Sequence, residues 1–428
     1  MSKRTPNAAT DIGSLKDDAV VTMLASGRHA DAFRLIFGEL EYAELHRLAR
    51  RVSRSKAIRK TRVYILPGIM GSALGVPATK KSAQQSVWLN PLAIARGELL
   101  DMALPDERRL QPLGVLLPGY LKLKLLLQLA GFDAVFQPFD WRRSVEHSAR
   151  ELLRRIARER RRGVHIVAHS MGGLVARAAL AVDRQRRIGK IVQLGTPNAG
   201  SFAPVQALRA VYATVRKIAA LDPNHSAEQL ARHVFRSLPG LYELLPASGK
   251  TGALDLFQLD NWPTDLLGPD ATLLVRASRA RAKLAPGREG CYHIVGVNQE
   301  TIISVAKKGN GFEYRIAADG DSTVPRALAN WPGAKNFFVD ELHSNLTKND
   351  TVVSAVVDLL KKGRTNKVTR DATGVARIVR RTTDANLRKE LRGKVAWDRL
   401  PFDERRNILD ATISTAFLGF SQQRRLNR

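Results

Sequence analysis

The sequence predicts an α/β architecture, a mostly parallel sheet flanked by helices, and three observations carry that prediction. Short apolar runs at 62–66, 164–169, 188–194 and 291–297 read as buried strands. Helical patterns separate the early runs, and strand–helix–strand order brings parallel pairing. The first three runs end in loops of Pro, Gly, Ser, Thr or Asn, and in such sheets ligands bind beyond the carboxyl ends of the strands.

The totals set the bounds. With 428 residues and 44% hydrophobic content the chain can bury a large core, in one domain with additions or in two, which excludes a disordered chain. The formal net charge of +29, mostly Arg, favours acidic partners such as anionic membrane surfaces, nucleic acid or other polyanions. It is equally the mark of an Arg-rich composition on solvated faces. Cys291 is the single cysteine, so neither an intramolecular disulfide nor a Cys-based zinc site is expected, and nothing implies a cofactor or metal. Residues 1–14 are polar, unlike a signal peptide, and the most apolar window, 113–132, is interrupted by Pro118, Lys122 and Lys124. The expected location is cytoplasmic, with peripheral contact to an anionic membrane through basic surface.

In chain order, apolar residues between 17 and 51 recur at three-to-four spacing and suggest two helices broken near Gly27. With the basic linker that follows they form an N-terminal extension, 1–60, that either packs on its own domain or offers a face to a partner or membrane. The strand at 62–66 runs into Pro67-Gly68-Ile69-Met70-Gly71-Ser72, a loop that exposes backbone N–H groups. Residues 73–130 read as helices and loops above the sheet. A strand then leads into Asp140-Trp141-Arg142, where carboxylate and guanidinium satisfy each other or nearby backbone beside a packed indole. The basic helix at 148–162 delivers the chain to the strand at 164–169.

That strand ends at Ser170. Small residues two before it (Ala168) and two after it (Gly172) allow a sharp turn, and a helical pattern starts at Met171. This is the pattern of the nucleophile elbow of the α/β-hydrolase fold, with Ala where the first Gly is usual. The strand at 188–194 ends in the polar loop 195–201. Residues 202–290 are helical in pattern, with Pro204, Pro223, Pro239, Pro246, Pro263 and Pro269 as breaks, and read as an inserted cap or lid. Its Phe257, Trp262, Leu266 and Leu267 suit either core packing or an apolar substrate. After the strand at 291–297 come Asp319-Gly320-Asp321-Ser322-Thr323-Val324-Pro325, a strand at 336–339, His343 and a helix to about 360. The hydrolase domain is therefore expected over 61–362. From 361 to 428 there are eighteen bases against seven acids and no clear strand, so 363–428 reads as a basic, mostly helical tail.

Acyl transfer needs a nucleophile, a base, an orienting acid and oxyanion donors, and in this fold the three side chains come in the order Ser, Asp, His. Ser170, Asp321 and His343 satisfy that order, each just after an expected strand. Asp319 competes with Asp321. The N–H groups of Met171 and Met70 are the natural oxyanion pair. His165, His169 and His293 read as structural or solvated. Around the serine, Ile69, His169 and Trp262 are the candidate substrate contacts.

Taken together, Pro67 to Ser72, Phe139-Asp140-Trp141-Arg142, Ala168-His169-Ser170-Met171-Gly172-Gly173, Leu194-Gly195-Thr196-Pro197, Gly320 to Pro325 and His343-Ser344-Asn345-Leu346 resemble the ordered blocks of the lecithin:cholesterol acyltransferase-like family. That family includes phospholipid acyltransferases, phospholipases A and related bacterial lipases. The resemblance implies that Ser170, Asp321 and His343 form the triad, prefers Asp321 to Asp319, and points to Met70 as an oxyanion donor. The chain departs from it at Ala168 and in lacking the cysteines for a disulfide-held lid. The expectation is a serine hydrolase of lipid or phospholipid esters working through an acyl-enzyme. Transfer of the acyl group to an alcohol is its close variant. The alternative of another class is a partner- or nucleic-acid-binding scaffold on the same fold; a complete triad and the lack of a nucleic-acid motif weigh against it.

Overall fold

The computed structural model describes residues 17–56, 59, 61–80, 82–105, 107–159, 163–247, 249, 254–371 and 378–390. The tail expected beyond 390 lies outside them. In chain order the strands are β1 (Thr61–Leu66), β2 (Ser72–Val76), β3 (Gln85–Trp88), β4 (Gln111–Val115), β5 (Phe132–Phe136), β6 (Val164–His169), β7 (Ile188–Leu194), β8 (Cys291–Val297), β9 (Glu300–Lys308), β10 (Gly311–Ala318), β11 (Lys335–Asp340) and β12 (Ile378–Thr383). The main sheet has the order β11-β8-β7-β6-β1-β5, and all of its pairs are parallel. Flanked by helices on both faces, it is the sheet of an α/β-hydrolase fold. Its register sets Leu66 beside Ala168 and His169 beside Leu194. The ends of β1, β6 and β7 therefore converge, which is where the sequence places its polar loops.

The pleat divides the core into two halves, because successive side chains of a strand point to opposite faces. Tyr64, Leu66, Ile166 and Ala168 pack with Val145, Leu152, Leu174 and Val175. Val63, Ile65, Val167 and Val192 pack with Leu121, Leu125, Val352 and Val356 on the other face. The latter residues belong to the helices Leu117–Leu129 and Asp350–Lys362. Onto that face the N-terminal helices α1 (Asp17–Ser26) and α2 (Ala30–Arg54) add Leu24, Phe33, Leu45 and Leu48. Besides the break after Ser26, α2 is kinked at Gly38, whose φ of 75° leaves the helical region. Glu44 meets Lys122 at 2.7 Å and Glu41 meets Lys348 at 3.2 Å. Most of the apolar stripe of this extension thus packs into the domain's own core, while Leu40 stays exposed. No helix among the described residues is long and apolar enough to cross a membrane.

Three segments differ from the sequence expectation. Residues 73–130 hold a small antiparallel sheet, β3-β2-β4, as well as helices and loops. Residues 300–318 form the hairpin β9–β10. Beyond 361 the chain returns as β12, antiparallel to β10, followed by the helix Asp384–Glu390, where the sequence suggested no strand. A strand partner far away in sequence supplies what the local pattern lacks.

The insertion carries helices at Ala203–Leu208, Ala213–Leu221, Ala227–His233 and Ala271–Ala282, with no strand among its described residues. A buried cation ties it to the returning chain. Arg209, at 0% exposure, donates from Nε to Asp384 Oδ2 (2.8 Å), from an Nη to Asp265 Oδ2 (2.8 Å) and to the carbonyl of Asn310 (3.0 Å). Tyr314 Oη donates to the other oxygen of Asp384 at 2.7 Å. Removing one partner of a buried pair leaves the other charge uncompensated, which costs about 3–5 kcal/mol. Arg209→Leu is therefore expected to lower unfolding free energy by roughly that amount in a urea titration, whereas Arg380→Leu, which breaks the more exposed pair with Glu300, changes it by less than about 1 kcal/mol.

Candidate active site

Ser170 occupies the turn between β6 and the helix Met171–Val182, with φ 53° and ψ −126°. A non-glycine residue held there costs about 1–3 kcal/mol and persists only where its surroundings enforce it. They do so here. Ser170 N–H donates to the Leu194 carbonyl at 2.9 Å, and Gly173 N–H donates to the Ser170 carbonyl at 3.0 Å. Gly172 has to lack a side chain, since a Cβ would lie 2.4 Å from the Pro67 carbonyl oxygen.

Asp321 follows β10 and the bridge at Gly320. Its Oδ1 accepts the N–H groups of Thr323 (3.0 Å) and Val324 (2.7 Å), and its Oδ2 meets His343 Nδ1 at 2.7 Å. The His343 main-chain N–H also donates to the Asp321 carbonyl at 2.8 Å. Both side chains are buried. Asp319 is engaged elsewhere, with Arg326 Nε at 2.5 Å. Gly195, with φ +56°, keeps space open behind the pair: a Cβ there would sit 2.9 Å from both Asp321 Oδ2 and His343 Nδ1.

Ser170 and His343 line one narrow cavity together with Ile69, Met70 and His169. The insertion covers it with Pro204, Ala207, Tyr212, Leu241 and Leu244, so Ser170 and His343 are only 6% and 5% exposed. Met70 has φ 63° and sits in a loop held by three aromatic residues. Trp88 Nε1 donates to the Met70 carbonyl (2.9 Å), Trp141 Nε1 donates to the Ser72 carbonyl (3.1 Å), and Tyr120 Oη accepts from Gly68 N–H (2.9 Å). Trp141 is in turn fixed beside Arg142, which grips both oxygens of Asp140 at 2.9 Å. Met171 opens its helix, so its N–H has no acceptor within that helix.

Trp262 is a correction. It is not among the residues that line this cavity; its buried indole packs edge-on against Phe312 of β10 and donates to the Leu256 carbonyl at 2.9 Å, between the insertion and that strand. His165 and His293 are structural. His165 Nδ1 accepts the Lys190 N–H, and His293 Nε2 accepts the Thr196 N–H while burial drives its imidazole down to about 3. His169 lines the cavity and is also built into it: Nδ1 lies 3.1 Å from Tyr120 Oη, and Nε2 lies 3.0 Å from the His343 carbonyl oxygen. Tyr120 went unmarked in the sequence, inside a leucine-rich stretch with no local signal for a contact across the sheet end.

Part of the chain, residues 144–258, matches the family model described as a PGAP1-like alpha/beta domain. No curated protein sequence matches. Among solved structures the chain is similar to one from the Tle4-Tli4 complex, at 15% identity over 69% of this chain and 97% of that one, with a TM-score of 0.43. It is similar also to the mature form of the Bacillus licheniformis lipase BlEst2, at 15% identity over 72% and 93% of the two chains and a TM-score of 0.34. A pyrethroid hydrolase, PytH, aligns at 10% identity over 71% and 98%, with a TM-score of 0.28.

Between the cavity residues Leu241 and Leu244 lies Glu243, whose buried carboxyl accepts the Val145 N–H at 2.5 Å. Burial pushes this carboxyl up from 4.5 to about 7, against the favourable N–H bond, and Glu146 adds to the rise. The folded state therefore holds the proton more tightly than the unfolded chain. The associated stability is complete below the unfolded value and is lost as pH rises towards the folded one, on the order of 3 kcal/mol. Glu243→Gln is expected to flatten that part of the profile. Urea unfolding at about pH 5 and about pH 8 should show a larger alkaline loss in the wild type than in the variant.

Proposed function

We propose that the chain is a serine hydrolase that cleaves carboxylic esters of the lipid or phospholipid type through an acyl-enzyme. The observation that carries this reading is the 2.7 Å contact of Asp321 Oδ2 with His343 Nδ1, behind an imidazole that shares its cavity with Ser170. In this mechanism Ser170 Oγ attacks the ester carbonyl carbon while His343 Nε2 takes the hydroxyl proton. Asp321 holds the proton on His343 Nδ1 and stabilises the imidazolium. The oxyanion is met by the N–H groups of Met171, at a helix start, and Met70. Collapse of the tetrahedral intermediate breaks the bond to the alcohol oxygen, which receives the proton from His343. Water then repeats the attack on the acyl-enzyme with His343 as base, which restores Ser170.

The apolar cover of Pro204, Ala207, Leu241 and Leu244 supports an apolar acyl group, and the net charge of +29 supports substrate presented on an anionic surface. The resemblance to lecithin:cholesterol acyltransferase-like blocks favours the same substrates. Acyl transfer to an alcohol uses the same first half-reaction and differs in what reaches the acyl-enzyme.

Ser170→Ala is expected to abolish labelling by a fluorophosphonate probe and to lower kcat/KM on a soluble ester by roughly 10⁴-fold or more. Asp321→Asn should lower kcat by about 10⁴-fold, because it disturbs the His343 tautomer. Undiminished turnover by Ser170→Ala would sink the reading. Product analysis with and without added alcohol separates hydrolysis from transfer.

A further inference from the structure

We propose that Tyr120 is a positioning residue for this site: through His169 it locks the Met70-bearing loop and the main chain of His343 into one directed line of hydrogen bonds. The inference rests on the hydrolase reading for its kinetic consequence, but the line itself follows from bond directions. Gly68 N–H can only donate, so Tyr120 Oη accepts from it, at 2.9 Å. The His343 carbonyl can only accept, so the hydrogen of His169 is on Nε2, 3.0 Å away. Burial, with His343 close by, lowers the basicity of His169 well below the usual imidazole range, so its ring holds a single proton. Nδ1 is then a bare acceptor, and the Tyr120 hydroxyl donates to it across 3.1 Å. The line runs from Gly68 N–H to Tyr120, through the His169 ring and on to the His343 carbonyl.

Each link is shielded from water: Tyr120 is 1% and His169 3% exposed. The line also complements Asp321. Asp321 accepts the His343 N–H at 2.8 Å, and His169 donates to the His343 carbonyl, so the peptide groups on both sides of the base are held. The His169 and His343 rings lie 4.7 Å apart. When His343 takes the serine proton, a neutral His169 leaves the new imidazolium unopposed, whereas a second cation would repel it. Without the Tyr120 hydroxyl, Gly68 N–H and His169 Nδ1 lose this partner. The His343 carbonyl still keeps the hydrogen on Nε2, but the ring is no longer tied through Tyr120 to Gly68, so the base and the Met70-bearing loop are no longer positioned against one another.

The test compares Tyr120→Phe, His169→Leu and His169→Gln in the full chain. Tyr120→Phe is expected to lower kcat on a soluble short-chain ester by roughly 10- to 100-fold, with KM changed by less than about 3-fold, the scale of a misplacement near 1 Å. His169→Leu should lose about as much. His169→Gln, whose carboxamide can both accept from Tyr120 and donate to the His343 carbonyl, should recover most of it. A merely structural role would lower the melting temperature without this pattern in kcat. In ¹⁵N-histidine NMR, His169 should be the Nε2–H tautomer in the wild type, and its Nδ1 resonance should shift in Tyr120→Phe as the hydrogen bond from the hydroxyl is lost. Unchanged kcat in folded Tyr120→Phe, or an Nδ1–H tautomer of His169 in the wild type, overturns the proposal. If Tyr120→Phe does not fold, the comparison of His169→Gln with His169→Leu decides it: equal losses overturn it, recovery by Gln supports it. Retained turnover in Ser170→Ala would instead overturn the hydrolase reading, while the tautomer measurement would still decide the hydrogen-bonded line.

Discussion

The backbone of Ser170 cannot relax, and much of the molecule is arranged around that fact. A φ of 53° with ψ −126° is held only because β1 and β7 crowd the turn from both sides. The end of β1 approaches so closely that position 172 admits no Cβ, and the end of β7 captures the serine N–H through the Leu194 carbonyl. A central strand buried on both faces is the place where such strain can be stored, since any relaxation would disturb packing in both halves of the core. The same crowding exposes the serine side chain at the tip of the turn. The strain and the chemical availability of Ser170 are therefore two results of one packing arrangement.

The loops around the turn are held with similar redundancy. The Pro67–Ser72 loop hangs on two indoles and a phenol, and His343 is fixed at its ring and at both adjoining peptide groups. Such preorganisation matters because donors aimed in advance at a developing charge need not reorient during reaction. It also explains why Asp140, Trp141 and Arg142, remote in sequence from the serine, belong to the site: they set the indole that holds the Ser72 carbonyl.

What could be read from sequence follows the range of each signal. The elbow, the order of Ser170, Asp321 and His343, and the strands of the main sheet are written in short stretches, where small residues or continuous apolar runs have few alternatives. The N-terminal break near Gly27 is local too. The hairpin β9–β10 and strand β12 were hidden because their faces are mixed: Lys307, Lys308, Arg380 and Arg381 interrupt the alternation, and only pairing with β10 makes a strand of β12. At two residues' spacing Asp319 and Asp321 could not be separated by local pattern; the resemblance preferred Asp321, and in the structure Asp321 meets His343 while Asp319 pairs with Arg326. Trp262 shows the opposite limit. A large apolar side chain in an insertion reads alike whether it faces a substrate or its own core, and here it faces Phe312. Tyr120 had no local signal, since its meaning lies in two contacts, 52 and 49 residues away.

The bond between Arg209 and Asp384 spans 175 residues. Arg209 directly follows the short helix whose Pro204 and Ala207 roof the serine, and its carboxylate partner is among the last described residues of the chain. During translation the sheet, the elbow and the His343 loop are all made before that partner leaves the ribosome. Contacts so far apart in sequence form late, because the intervening chain must be ordered first. On a growing chain Asp384 is thus the last of the partners of Arg209 to arrive, after Asp265 and Asn310, and until then the buried guanidinium beneath the roof lacks one of its two carboxylates.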